Sequence, residues 1–501
     1  MLEKTSVFFM LMVKEQENTD VFCCPKEDLR RKYRVKQFSI VIAGGGSTYT
    51  PDMLEMLCLV REHFPLRRVV LYDIDAERQE HIGRFGEILF REYYPEVDFS
   101  YTTDEETAFT DIDFALVQIR PGGLKMREMD EKIPLKYGVI GQETCGPGGF
   151  AYGMRSVPAM IELVRAIRRY SPEAWILNYS NPAAIVAEAT KRVFPDDFRL
   201  INICDMPISI MDIFCPLAGG RKRTDVEPRY YGLNHFGWFT AMYDKKTGED
   251  VLPEILDKLK RGNCDEELGF SGKNDDYWNF TFKHLEKMVQ DYPFSLPNTY
   301  MQYYLYPNTM VAHTDPNYTR ANTVIDGREK RVKAYCDEIV ALGKIRGTKF
   351  DMDRKYSQGS HKNADGEFES ATIAHNDAHA TYIVELAMSI AYNQGEIFLL
   401  MTENNGIVPN LSDGMMLEVA CRVGARGAEP LRIAPAGTFE KGLLEGQYAY
   451  EKLTVDAALE GSYQKALQAL VVNRTVVDTD LARKILDEYI AVNGEHFPVL
   501  K

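Results

Sequence analysis

The sequence predicts an α/β fold, with a doubly wound parallel sheet in the first half and a mixed α+β region after it. Three observations carry this. Short apolar, β-branched runs alternate with helical periodicities through the first half; the first run leads straight into three glycines; and after about residue 215 the alternation gives way to helical stretches with short strands. The 501 residues, 45% hydrophobic and 27% charged, suffice for a large core and exclude disordered, collagenous and disulfide-scaffold classes.

Residues 1–37 read as an N-terminal extension. Their apolar run at 7–13 lacks a small-residue cleavage site and continues into Lys14-Glu15-Gln16-Glu17, unlike an export signal. Phe38-Ser39-Ile40-Val41-Ile42-Ala43 then reads as a buried strand. Gly44-Gly45-Gly46-Ser47-Thr48 follows, Pro51 opens a helix with Met53, Leu57, Val60 and Phe64 on one face, and a second strand at 69–72 ends at Asp73. Further strands are expected at 114–119, 175–178 and 200–203, so residues 38–215 form a Rossmann-like domain. Residues 216–501 read as a mixed α+β domain. Within it, 379–393 is a helix with Ile383, Leu386, Ala387 and Ile390 inward, 397–400 is a strand, and polar residues at about 343–372 are an exposed insertion.

Charge and cysteines narrow the function. With 59 Lys and Arg against 74 Asp and Glu, the net charge of −15 opposes general affinity for nucleic acid or anionic membrane, so an anionic ligand needs a local basic pocket. Nine cysteines, an odd number without paired spacing, point to reduced thiols in the cytoplasm. No apolar run reaches the roughly 18 residues of a membrane helix.

The glycine-rich turn lies between a strand and a helix, and the next strand ends in an acid. Backbone N–H groups there can cradle the pyrophosphate of a dinucleotide, and Asp73 can accept from a ribose hydroxyl. Aligned as G-x-G-x-x-G, Gly44 and Gly46 fit, but Tyr49 stands at the third glycine. Two strand ends come next, where open α/β sheets bind ligands: Asn178-Tyr179-Ser180-Asn181-Pro182, with Asn181 held extended before proline, and Asn202-Ile203-Cys204-Asp205-Met206-Pro207. Cys204 and His235, with open positions for water or substrate, could form a catalytic metal site; equally, a buried thiol is a small hydrophobe and a lone histidine a satisfied polar group. Tyr300 lies in a phenol-rich run at 296–304, where most tyrosines pack. Arg120, Arg127 and Arg320 are candidate anion binders, although most arginines are simply solvated.

Together these stretches resemble glycoside hydrolase family 4. The resemblance rests on residues 38–48, on Ile133 and the residues up to the run Gly141-Gln142-Glu143-Thr144-Cys145-Gly146-Pro147-Gly148-Gly149, on 177–184, and on the Cys204, His235 and Tyr300 stretches. It covers about 38–341 and 373–495; the extension and the insertion depart from it. The tetrapeptide Cys204-Asp205-Met206-Pro207 resembles the 6-phospho-α-glucosidase subgroup, with Cys-Asn forms marking phospho-β-glucosidases and Cys-His forms galactosidases and glucuronidases.

The resemblance implies a fold like that of lactate and malate dehydrogenases, bound NAD, a divalent metal (manganese), and hydrolysis of phosphorylated disaccharides such as maltose 6'-phosphate. This NAD-dependent family is an exception among glycosidases. It further implies oxidation at C3, loss of the C2 proton to Tyr300, expulsion of the aglycone with Asp205 as acid, water addition and re-reduction. Cys204 and His235 would hold the metal, Gly44, Gly45, Gly46, Ser47, Thr48 and Asp73 the NAD, and Arg127, Asn181 and Arg320 the substrate. A homodimer or homotetramer is implied too. The rivals are another family 4 glycosidase, a 2-hydroxy-acid dehydrogenase, which would release NADH stoichiometrically, and an NAD sensor without turnover.

Overall fold

In the computed structural model, residues 36–262, 264, 276–357 and 378–501 are described. Residues 38–501 form one unit. Its strands are β1 (Phe38–Ala43), β2 (Leu66–Tyr72), β3 (Asp98–Thr102), β4 (Phe114–Val117), β5 (Trp175–Asn178), β6 (Leu200–Ile203), β7 (Val226–Leu233), β8 (Phe236–Asp244), β9 (Leu296–Pro297), β10 (Glu396–Glu403), β11 (Met416–Gly424) and β12 (Gly427–Pro430). They share one sheet in the order β3-β2-β1-β4-β5-β6-β10-β11-β7-β8-β9, with β12 on β11. The first six are parallel in the doubly wound order 3-2-1-4-5-6.

The parallel half follows the sequence reading because its central strands are covered on both faces. β1 and β4 are buried at every position, which is why they read as continuous apolar runs. β4 is two residues shorter than expected, since the Ile119 N–H turns away to Ser180 Oγ (2.9 Å). β3 escapes sequence reading: it is the edge strand, only partly buried, and has no apolar run.

Beyond residue 215 the sheet continues. β6 pairs antiparallel with β10, so the boundary expected at 215 falls near the change from parallel to antiparallel pairing within one sheet. β7, β8 and β11 span eight or nine residues each, longer than the short strands expected there. The helix expected at 379–393 is Ala378–Tyr392. In the expected insertion, most residues from 343 to 354 are exposed, while Ile345 and Met352 are buried and the Ile345 N–H donates to Glu92 (3.0 Å) of the helix Ala76–Tyr93. Residues 358–372, and 1–35 of the extension, lie outside the described residues.

A second core lies where the helices Thr438–Glu460 and Thr479–Asn493 cover Gly146–Tyr170. Within it Glu451 is buried, accepting from Gln447 (2.8 Å), and burial pushes its carboxyl up to about 8. Below the usual carboxylate pKa of about 4.3, both folded and unfolded chains carry this proton and its stabilising contribution is complete. Between about 4.3 and 8 the folded chain keeps a proton that the unfolded chain releases, so stability falls as pH rises, by up to about 1.4 kcal/mol per pH unit. Glu451→Gln removes this slope, and its melting temperature relative to the parent is expected to climb between pH 5 and pH 8. A difference that stays constant with pH would contradict the assignment.

Candidate active site

The carboxyl ends of β1, β2, β4, β5 and β6 all open to one side of the parallel sheet, and the glycine turn closes the first of them. Gly44 has φ +88°, and a Cβ there would stand 2.6 Å from the Gln118 carbonyl oxygen, so only glycine lets the chain pass the end of β4. Asp73 Oδ2 accepts from the Gly46 N–H (2.8 Å), so this acid also fastens the turn. A cleft of about 250 Å³ lies beside it, lined by residues including Gly46, Thr48, Asp75, Arg78 and Ile82. A bare-backbone turn, an acid at the next strand end and an adjoining cleft fit a dinucleotide. Ser47 Oγ accepts from the Tyr49 N–H (3.3 Å). Tyr49, in place of the third glycine, stacks on His379 with ring centroids 4.5 Å apart.

Cys204 and Asp205 follow β6, and Asp205 precedes the helix Met206–Phe214. His235 arrives from the other half of the sheet, at the tip of the β7–β8 hairpin, where Leu233 pairs with Phe236. A histidine with φ +62° is uncommon; a turn built only for tightness would favour glycine or asparagine there. At the base of this turn a Cβ on Gly232 would stand 2.3 Å from the Gly237 Cα, so the hairpin closes on bare backbone.

The fold brings the predicted residues together. Cys204 Sγ lies 3.3 Å from His235 Nε2 and 4.0 Å from Asp205 Oδ1. Tyr300, two residues after Asn298, whose N–H donates to the Gly237 carbonyl (2.8 Å), stacks on His235 at 4.1 Å with the rings 17° apart. Burial lowers His235 to about 4, so its ring is neutral at physiological pH and no proton competes for its lone pair. Burial and the neighbouring Asp205 charge keep Cys204 a thiol until something displaces its proton. Once its proton is displaced, a Cys204 thiolate beside a neutral imidazole makes a sound ligand pair, although sulfur favours ions softer than manganese. Among the described residues no group of three or more His, Cys, Asp or Glu is placed to hold a metal ion.

Asp205 is half-buried, with 30% of its side chain exposed; its partial desolvation alone would raise its pKa, but the His379 hydrogen bond (Nδ1 to Oδ2, 3.3 Å) and charge outweigh this and hold the carboxyl below its usual range. The His379 ring is also stacked on Tyr179, 3.8 Å between centroids. Sequence reasoning saw only the apolar face of that helix and missed His379. It also missed Thr144, whose hydroxyl lies 3.0 Å from His235 Nδ1, and Glu418, a carboxyl that burial pushes up to about 8 and that accepts from Asn234 (3.2 Å). The Gln142-Glu143-Thr144 run was in view, but nothing in its spacing points to a histidine 91 residues on.

The candidate substrate residues fall into two groups. Asn181, preceding a cis peptide bond to Pro182, has a buried side-chain oxygen with no hydrogen-bond partner among the described residues, a polar atom suited to a ligand. Arg127 is 7% exposed and held by two carboxylates, Glu131 at 2.9 Å and Glu143 at 3.2 Å, the latter shared with Arg120 (2.6 Å). Glu131 also accepts from the Ala321 N–H (2.7 Å), so the backbone one residue after Arg320 meets the Arg127 cluster. These pairs fix the guanidinium plane, and a fixed fork is what recognises a phosphate.

Comparison with known proteins finds the relatives of the whole chain. Residues 39–218 match the family described as family 4 glycosyl hydrolase, and residues 230–476 the family 4 glycosyl hydrolase C-terminal domain. The phospho-alpha-glucosidase PagL of Clostridium acetobutylicum is 57% identical over 461 residues, covering 92% of this chain and 98% of that protein. A crystal structure of a 6-phospho-alpha-glucosidase from gut microorganisms, in complex with NAD and Mn²⁺, superimposes with a TM-score of 0.85 at 48% identity, covering 93% of this chain and all of that one. A second such enzyme, bound to NAD and glucose-6-phosphate, gives 0.83 at 39% identity with the same coverage.

Proposed function

The chain belongs to family 4 of the glycosyl hydrolases, and from that membership we propose that it hydrolyses 6-phosphorylated α-glucosides, maltose 6'-phosphate among them, to glucose 6-phosphate and the aglycone, with NAD and a divalent metal, Mn²⁺, as its cofactors. The observation that carries the reading is the convergence of Cys204, His235 and Tyr300, with Cys204 and His235 3.3 Å apart and Tyr300 stacked on the imidazole. Residues 38–215 hold NAD through Gly44, Gly45, Gly46, Ser47, Thr48 and Asp73; residues 216–501 complete the metal and substrate site. Bound there, NAD supplies a hydride acceptor and donor for C3 of the sugar, and the metal, held by Cys204 and His235, supplies a Lewis acid for its hydroxyls.

Tyr300 takes the C2 proton, which a carbonyl at C3 makes acidic. Asp205 delivers a proton to the oxygen leaving C1. His379 hydrogen-bonds the same carboxyl at 3.3 Å and orients it. Arg127 and Arg320 bind the 6-phosphate, a local cationic pocket on a chain of net charge −15, and Asn181 binds a sugar hydroxyl.

A charged sugar phosphate and unpaired thiol chemistry at Cys204 suit the cytoplasm, and no helix among the described residues is long and apolar enough to cross a membrane. Assembly as a homodimer or homotetramer follows the family resemblance. The test is hydrolysis of paired α- and β-linked 6-phosphoglucosides with and without NAD and Mn²⁺. Release of glucose 6-phosphate from the α-linked member, only with both cofactors and without accumulating NADH, is the expected result. NADH formed in step with product would make the protein a dehydrogenase.

A further inference from the structure

We propose that Gln142 and Thr144 are positioning residues that set the tautomer of His235 and aim its Nε2 at the metal position, an inference that rests on reading His235 as a metal ligand. The hydrogen bonds leave one assignment. The Gln142 side-chain oxygen is in contact with the Thr144 N–H (2.6 Å), the Cys145 N–H (2.7 Å) and Thr144 Oγ1 (2.9 Å). Two of these partners are backbone N–H groups, which only donate, so the Gln142 atom is the carbonyl end of its amide and only accepts.

The Thr144 hydroxyl therefore spends its one hydrogen on Gln142 Oε1. Its contact with His235 Nδ1, at 3.0 Å, then requires the imidazole to donate, which puts the ring proton on Nδ1. Nε2 is left with its lone pair, and Nε2 is the atom that faces Cys204 Sγ at 3.3 Å. All three side chains of the chain Gln142–Thr144–His235 are buried, so water does not compete for these bonds. Outer hydrogen bonds of this kind orient a ligating histidine and raise its basicity.

This gives the Gly141-Gln142-Glu143-Thr144 run a divided role. Glu143 faces Arg120 and Arg127, while Gln142 and Thr144 serve the imidazole, so one short loop before the helix Gly146–Tyr170 sets both the cationic cluster and the metal ligand.

The competing view is that Gln142 merely holds the backbone of that loop, and Thr144→Val separates the two. It keeps the residue 144 N–H that Gln142 accepts from, keeps the side-chain shape, and removes only the hydroxyl. Mn²⁺ binding to purified full-length protein, followed by electron paramagnetic resonance of the free ion, is measured beside NAD affinity and thermal melting. Thr144→Val is expected to lose about 10- to 100-fold in Mn²⁺ affinity, the usual range for such a partner, with NAD affinity unchanged, while Thr144→Ser, which restores the hydroxyl, stays within about threefold of the parent. Unchanged Mn²⁺ affinity in Thr144→Val, or equal losses in both variants, would overturn the assignment. His235→Ala is the control on the underlying reading: if it too binds Mn²⁺ as the parent does, His235 is not a ligand. If it loses Mn²⁺ while Thr144→Val does not, only the positioning role fails.

Discussion

Asp205→Asn is expected to lower turnover of maltose 6'-phosphate by about 10²–10⁴-fold, the range for loss of a general acid. The sugar alkoxide leaving this disaccharide is strongly basic and cannot depart without a proton, whereas nitrophenolate leaves readily without one. On p-nitrophenyl α-glucoside 6-phosphate the same variant should therefore lose far less. The contrast between the substrates separates the acid role from a structural one, because Asp205 adjoins Cys204 and lies 4.0 Å from its sulfur. Mn²⁺ and NAD affinities measured alongside are expected to hold. Equal losses on both substrates with the metal still bound would remove Asp205 as the leaving-group acid.

Tyr300→Phe is expected to cut kcat by a similar factor, about 10²–10⁴, on both substrates alike. The base acts before the leaving group departs, so a better leaving group gives no rescue. Phenylalanine keeps the aromatic face that stacks on His235 at 4.1 Å and removes only the oxygen, so metal and NAD binding should persist. Retained activity within a few-fold of the parent would show that another group takes the C2 proton.

The parts of the fold that sequence reveals are those with one dominant environment. β1, β4, β5 and β6 are short and mostly buried, and their apolar runs mark them almost to the residue. β3 is missed because an edge strand carrying Asp98, Ser100 and Thr102 has no such run. The β7–β8 hairpin is obscured for a different reason: its tip is Asn234-His235 where a purely structural turn would carry asparagine and glycine, so the residue that hides the turn is the proposed metal ligand.

The same division holds at the site. Asp73, Asn181, Cys204 and Asp205 are legible because each follows a strand whose carboxyl end can be located, and open α/β sheets bind ligands there. That His235 meets Cys204 depends on β7 joining the sheet through β10 and β11, a pairing between segments nearly 200 residues apart that no local pattern encodes. His379 reaches Asp205 across 174 residues from the first turn of a helix otherwise defined by its apolar face.

The central claim is that the glycosidic bond breaks by elimination after a proton leaves C2, and hydrolysis in heavy water tests it most directly. Tyr300 is only partly buried, so a proton taken up by this proposed base can exchange with solvent before one is returned. Glucose 6-phosphate released by the parent protein is expected to carry one deuterium at C2, with no NADH accumulating during turnover. Product bearing only protium at C2 would contradict the account and point to direct displacement at C1.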